Sequence, residues 1–150
     1  MDLSVDGLTF QGAVDADFEE LWQLRRATIY EHVVATWGWD DAWQANRFRA
    51  HWRPEQFTII ERDGERIGMF AIREGDDVLH LANVAIAPAH QSQGIGTAVI
   101  TAILAGARAR GLAVRLTVLK VNRARRLYER LGFVIVGESA ADYAMQFDGG

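Results

Sequence analysis

The chain contains a turn with two glycines at residues 90–97 (HQSQGIGT), between its most apolar run, Val78 to Ala87, and an Ala-rich segment, Thr97 to Arg110. The apolar run predicts a strand and the Ala-rich segment predicts a helix. A strand that enters a helix through such a turn leaves unpaired N–H groups at the positive end of the helix dipole. These groups can bind a phosphate, which Gly94 and Gly96 would allow to approach closely. The alternative is an ordinary strand-to-helix turn with two flexible residues.

Composition limits the classes of protein and partner. A length of 150 residues fits one domain, and 20 acidic against 16 basic residues argues against a nucleic-acid partner. The absence of cysteine excludes disulfides, thiolate metal sites and a cysteine nucleophile, and we expect no bound metal. The first residues lack the features of a signal peptide, and there is no apolar run long enough to span a membrane. We therefore expect a cytoplasmic protein with no membrane partner.

Periodicity and turn residues predict the element order β-α-α-β-β-β-α-β-α-β-β. Asp15 or Asp17 is placed to cap the first long helix, and Asp40 to cap the second. The sequence Asp63-Gly64-Glu65 predicts a hairpin turn between two strands. The helical crossover through residues 94–111 requires a parallel pair of strands, so the predicted sheet is mixed.

The second half of the chain contains its own boundary signals. Gly111 is suited to end the helix that follows the glycine turn. Asn122 is a good N-cap for a short helix that Gly132 ends, and two further strands are predicted after it.

Two segments resemble the signatures of one protein family. Residues 91–96 (QSQGIG) resemble the Q/R-x-x-G-x-G/A signature of the GNAT superfamily of N-acetyltransferases. Residues 122–133 (NRARRLYERLGF) are similar to that family's N-x-x-A-x-x-x-Y-x-x-x-G-F segment, with the alanine displaced by one position. Both occur in the family's order, with the expected helix and strand between them. A dinucleotide-binding domain fits less well, because the G-x-G-x-x-G motif is absent.

The resemblance implies a GNAT-like α/β (α+β) fold: a mixed, mostly antiparallel sheet of about 6–7 strands flanked by about 4 helices. It also implies a splay between the two strands around the coenzyme A turn. We expect one acetyltransferase domain over residues 1–150. Within it, residues 1–55 supply the acceptor-side strand and helices, and residues 56–147 supply the cofactor-binding core.

The resemblance implies acetyl-CoA as the cofactor. Its pyrophosphate is expected on the turn, and its pantetheine is expected to pair with the splayed strand. Asn122 is a candidate for pantetheine binding or only a helix cap, and Arg125 or Arg126 is a candidate for the 3′-phosphate or only an exposed side chain. The other expected cofactor residues are Val84, Ala85, Ile86, Gln91, Ser92, Gln93, Gly94, Ile95, Gly96 and Thr97.

Two side chains are candidates for proton transfer. In the histone acetyltransferase branch of the family, a glutamate base precedes the phosphate motif by eleven residues, and the same count back from Gln91 reaches His80. An imidazole with a pKa of ~6.5 accepts protons at neutral pH, although a water as base and a structural role for His80 are alternatives. Tyr128 matches the family's tyrosine that protonates the leaving CoA thiolate. The alternative for Tyr128 is an aromatic anchor of its helix.

All five tryptophans lie in or beside the first two predicted helices. In the family that the chain resembles, these helices generally form the acceptor wall. Aromatic faces with carboxylates nearby suit an amine. We expect Glu31, Trp37, Trp39 and Asn83 to contact the acceptor, and core packing is the alternative for the tryptophans.

The sequence therefore predicts an acetyl-CoA-dependent N-acetyltransferase in which a primary amine, of a small molecule or a peptide, attacks the thioester directly. The main alternative is a non-catalytic acyl-CoA-binding or sensing module, and a structural domain is a third. The resemblance also allows a homodimer.

Overall fold

A computed structural model of the chain describes residues 2–148. It shows one mixed sheet in the order β1-β2-β3-β4-β5-β7-β6, in which only β4 and β5 are parallel. The strands are β1 Thr9–Gly12, β2 Phe57–Arg62, β3 Glu65–Glu74, β4 Val78–Ile86, β5 Ala113–Leu119, β6 Val134–Glu138 and β7 Asp142–Phe147. The helices are α1 Phe18–Trp37, α2 Asp41–Ala50, α3 Ile95–Ala109 and α4 Ala124–Arg130. The predicted element order and mixed sheet are confirmed.

The predicted hairpin and the predicted cap of α2 are also present. Asp63 and Gly64 both have positive φ, 53° and 80°, and join the paired residues Arg62 and Glu65. Asp40 Oδ1 accepts a hydrogen bond from Trp43 N at 3.0 Å and so caps α2. Within residues 2–148, no helix combines the length and the apolar composition needed to cross a membrane.

The sheet has a hydrophobic cluster on each face, because the side chains of its strands alternate. On β3, Phe70 belongs to the cluster that packs against α3, while its neighbours Met69 and Ala71 belong to the cluster that packs against α1 and α2. The first cluster includes Val99, Ile100 and Ile103 of α3, and the second includes Leu21, Trp22 and Phe48. The two predicted halves of the domain thus meet across the sheet.

The start of α1 is attached to β3 by an ion pair. Asp17 immediately precedes α1, as predicted, but its side chain does not cap that helix. Instead, Asp17 Oδ2 accepts a hydrogen bond from Val14 N at 2.8 Å, and Oδ1 lies 2.7 Å from Nη1 of Arg66. These two interactions lower the pKa of Asp17 below its ordinary value of 3.8. The same Arg66 nitrogen binds Glu20 Oε1 at 2.8 Å.

We expect Asp17→Asn to lower the free energy of unfolding by roughly 1–3 kcal/mol at pH 7, because it removes a charged acceptor that is only 9% exposed. Since the folded-state pKa is depressed, the contribution is present above pH 3.8 and is lost as the pH falls below it. Urea unfolding at pH 7 and at lower pH measures both effects. Glu20→Gln is the matched control and should cost about 0–1 kcal/mol. Equal losses from the two variants would contradict this account.

Candidate active site

Strands β4 and β5 separate after a short parallel contact. They pair only where Val78–His80 meets Ala113–Arg115. Further along, Asn83 has φ 55°, and the register against β3 shifts between the pairs Ala71–Ala82 and Met69–Ala85. This bulge bends β4 and leaves its later residues with β3 as their sole strand partner among the described residues. The expected splay is therefore present.

The open edge of β4 is formed by alternate residues. A Cβ built on Gly68 of β3 would lie 2.6 Å from the Ala85 carbonyl oxygen, so the backbone of Ala85 faces β3. Val84 and Ile86 therefore present their backbone groups to the open side. The Ile86 oxygen accepts a hydrogen bond from Gln91 Nε2 at 2.9 Å, which attaches the glycine turn to the end of β4. Of the three expected pantetheine contacts, Val84 and Ile86 lie at the opening.

The glycine turn presents a row of free backbone donors. Within residues 2–148, the N–H groups of the six residues 92–97 have no hydrogen-bond acceptor, and the first bond of α3 runs from Ala98 N to Gly94 O. Ser92 and Gly94 have positive φ, 63° and 80°, as in a concave nest of amides. There is no acidic residue in the first turn of α3. This arrangement fits a phosphate or pyrophosphate group.

Arg62, the last residue of β2, binds two side chains of the glycine turn, and no sequence motif indicated this role. Its Nη1 donates to Gln93 Oε1 at 3.0 Å, and its Nη2 lies 2.6 Å from His90 Nδ1. Since a guanidinium only donates, His90 Nδ1 accepts and the ring proton lies on Nε2, 3.4 Å from Glu65 Oε2. His90 thus has a partner at each ring nitrogen and supports the turn. These contacts join residues about 30 positions apart, so no local pattern indicated them.

His80 lies where β4 and β5 begin to separate. Its neighbours Leu79 and Leu81 belong to the cluster on the α3 face, so the His80 side chain points to the opposite face. Its direct partners across the sheet are Arg73 and Arg115. Burial, together with these two positive charges, lowers the pKa of His80 below 6.5. The imidazole is therefore neutral at pH 7 and able to accept a proton.

Tyr128 lies on the α3 face. It packs against that cluster and contacts Phe133 edge-on, with the ring centroids 5.7 Å apart. Burial raises the pKa of Tyr128 above 10, so its hydroxyl is protonated at pH 7. Among residues 2–148 that hydroxyl has no hydrogen-bond partner and is available as a donor. The two candidates for proton transfer thus lie on opposite faces of the sheet.

Asn122 and Arg125 both have structural partners. Asn122 Oδ1 accepts a hydrogen bond from Ala124 N, the first residue of α4, at 2.9 Å, although the N-cap position itself is occupied by Arg123 rather than by Asn122. Arg125 Nε lies 3.2 Å from Glu129 Oε1, and its guanidinium lies 5.1 Å from the centroid of the Tyr143 ring. Their roles in cofactor binding stay predictions.

The four residues that are expected to contact the acyl acceptor lie on different elements: α1, the segment between α1 and α2, and β4. Trp39 stacks on Trp22, with centroids 6.5 Å apart, and donates from Nε1 to Asp41 at 3.1 Å. Trp37 is the last residue of α1, and it is 63% exposed. Glu31 is exposed on α1, and Asn83 lies partly buried at the bulge of β4. Their contact with an acceptor stays a prediction.

Away from the splay, the described chain shows no metal site, and its groove beside β1 contains one titratable residue. Within residues 2–148, no group of histidine, aspartate and glutamate side chains has the arrangement of a metal site. A groove of about 690 Å³ lies beside β1 and is lined by the N-terminal segment and Thr58. The one titratable residue in its lining is Asp2, and β1 is separated from β4 by two strands.

Comparison with known proteins matches most of the chain to one family. A family model described as "Acetyltransferase (GNAT) family" matches residues 18–133 of the 150. No curated protein matches the chain in sequence.

Solved structures show the same fold at low identity. The PaiA N-acetyltransferase of Thermoplasma acidophilum, in complex with coenzyme A, superposes with a TM-score of 0.74 at 16% identity, over 94% of this chain and 98% of its own. The ribosomal-protein-S18-alanine N-acetyltransferase of Escherichia coli has a TM-score of 0.70 at 19% identity, over 93% and 92%. Ard1 of Thermoplasma volcanium has a TM-score of 0.66 at 19% identity, over 93% and 96%.

We expect NMR titration to give His80 a pKa below 6.5, and Arg115→Gln to raise it toward 6.5, because the variant removes a positive charge that disfavours the imidazolium. Arg130→Gln, which removes an exposed charge from α4, is the control and should leave the His80 pKa unchanged. A pKa at or above 6.5 in the unaltered protein would contradict the described environment.

Proposed function

The chain belongs to the GNAT family of acetyltransferases, and we propose that it transfers the acetyl group of acetyl-CoA to a primary amine of a small molecule or a peptide. The observation that carries this proposal is the row of six unpaired N–H groups, at residues 92–97, at the mouth of the β4–β5 splay. Donors in this arrangement suit the pyrophosphate of coenzyme A, and the open edge beside them suits an extended chain.

The residues of the site fit this cofactor. Residues 92–97 would hold the pyrophosphate, with Gln91 fixing the turn to β4, and Val84 and Ile86 would hold the pantetheine. The resemblance to the family's second signature supports Asn122 and Arg125 as further contacts of the same ligand. When bound, acetyl-CoA supplies an acetyl thioester, which is an activated acyl donor. The complex of the Thermoplasma acidophilum enzyme with coenzyme A, on the same fold, supports this assignment.

His80 is proposed as the group that takes a proton from the acceptor. An alkyl amine has a pKa of ~10, near that of lysine, and must lose a proton before it can act as a nucleophile. His80 is neutral at pH 7 and faces the side of the sheet that α1 and α2 cover. It would accept the proton directly or through one water.

Tyr128 is proposed as the proton donor to the departing sulfur. Its hydroxyl holds its proton at neutral pH and lies on the face opposite His80. A base on one face and an acid on the other would let the amine arrive on the α1–α2 side while the thiolate is protonated on the α4 side. The chain has no cysteine to carry an acetyl group, so direct transfer is the simplest route.

The acceptor would reach His80 from the α1–α2 side. Glu31 and Asn83 offer polar contacts there, and Trp37 and Trp39 offer aromatic ones. The Escherichia coli neighbour modifies an alanine of a ribosomal protein, so the fold accommodates a peptide acceptor as well as a small amine.

We expect the protein to release CoA from acetyl-CoA in the presence of primary amines, and Tyr128→Phe to reduce kcat roughly 10²- to 10⁴-fold, the usual contribution of a positioned proton donor. Phenylalanine keeps the ring contact with Phe133, so the stabilisation by CoA in a thermal-shift assay should not change. A thiol assay of CoA release measures kcat.

Tyr143→Phe is the matched control, because Tyr143 is another partly buried tyrosine. This variant also loses one hydroxyl, and the enzyme should keep its kcat. Stabilisation by CoA without release for any amine would favour a sensing module. Unchanged kcat in Tyr128→Phe would remove Tyr128 from the mechanism.

A further inference from the structure

Helix α1 contains a positive charge on its core-facing side. Leu21 and Trp22 are buried against the sheet, and Arg25 follows them at helical spacing on the same stripe. Arg25 is partly buried, and α1 packs against β4, the strand that lines the splay. This position would ordinarily favour an apolar side chain.

Arg25 has no counter-ion in the described chain. The adjacent Arg26 donates from Nε to Asp41 Oδ1 at 2.8 Å, but no carboxylate of residues 2–148 pairs with Arg25. Arg25 lies one helical turn after Trp22, whose ring centroid is 5.8 Å from that of Phe48 in α2, and Arg47 is the residue before Phe48. The charged group that acts on Arg25 across this helix contact is therefore Arg47, which is also positive. Burial and this like charge lower the pKa of Arg25 to about 10, so it stays protonated at neutral pH.

Arg47 also lacks an ion pair within residues 2–148. Its guanidinium lies 5.5 Å from the centroid of the exposed Trp43 ring, which leaves its N–H donors available. Two neighbouring guanidiniums without a carboxylate repel each other, and desolvation of Arg25 adds to the cost. An anion bound between them would remove the repulsion and supply acceptors for both.

We propose that Arg25 and Arg47 form a subsite for a carboxylate of the acyl acceptor, so that the preferred acceptors are amines that carry a carboxylate. The subsite rests on the proposed function, because it specifies the acceptor of that reaction. It lies on the α1–α2 side of the sheet, the side to which His80 points. Guanidinium groups bind carboxylates through paired N–H donors, which would orient the amine end of such an acceptor.

Direct binding can be tested without turnover. The Nε–H resonance of Arg25, assigned by its loss in Arg25→Gln, is followed by NMR in CoA-saturated protein at constant ionic strength. N-acetylglycine, which has a carboxylate, should shift it saturably, whereas N-acetylglycinamide should not. The Arg26 resonance should respond to neither. An equal response to both compounds, no response, or a full shift caused by CoA alone would overturn the proposal.

Turnover gives a second test. Release of CoA is measured with ω-amino acids and with their carboxamides, and we expect kcat/KM to be at least about tenfold higher for the acids, the scale of one charge-assisted hydrogen bond. Arg25→Gln should reduce that preference roughly ten- to hundredfold while CoA still stabilises the variant. Arg26→Gln, the same change one position away, should keep the preference.

The two proposals fail in different ways. An active enzyme with no preference for acids, or with a preference that Arg25→Gln leaves intact, overturns the carboxylate subsite alone. A protein that is not stabilised by CoA and releases none with any amine overturns the proposed function, and the carboxylate subsite falls with it.

Discussion

The short parallel contact between β4 and β5 determines how the rest of the site is built. Three residue pairs join the strands, and the bulge at Asn83 then turns β4 away, so that backbone groups of Val84 and Ile86 lose a strand partner. Unpaired backbone polar groups are costly when buried, and such an opening is stable only where water or a ligand satisfies them. The crossover through α3 places its free N–H groups at the mouth of this opening. Strand pairing and helix position thus bring the open edge of β4 next to a row of free N–H donors.

The two faces of the sheet divide the chemistry. The face covered by α3 and α4 contains Tyr128, whose burial keeps its hydroxyl protonated, and the face covered by α1 and α2 receives the His80 side chain. Burial, together with the like charges of Arg73 and Arg115, lowers the pKa of His80 and so favours the neutral imidazole that a proton acceptor requires. Arg25 on α1, which has no counter-ion among residues 2–148, adds a positive charge to the same side. The sheet therefore separates two sides. One side is suited to the base His80 and to an amine substrate with a carboxylate, and the other side is suited to the proton donor Tyr128.

Local signals made much of the architecture predictable. Asp40 and Asn122 each bind a backbone N–H two or three residues further along, and Gly64 lies in the turn that it forms. These two helix starts and this turn could therefore be inferred from the sequence. Features that depend on distant residues could not. Asp15 or Asp17 is the predicted cap of α1, but Asp17 pairs with Arg66, 49 positions away, and Asp15 accepts a hydrogen bond from Trp52, 37 positions away. The lack of a counter-ion for Arg25 within residues 2–148 was equally hidden, because it depends on where every carboxylate of the described fold lies.

The most direct test of this account is amide hydrogen exchange with and without CoA. Residues 92–97 should exchange at least about tenfold more slowly when CoA is present, because their free N–H groups would then have acceptors, while the β2–β3 turn at Asp63–Gly64 should not change. Stabilisation of the protein by CoA with no protection of residues 92–97 would contradict the central claim that this turn is the cofactor site.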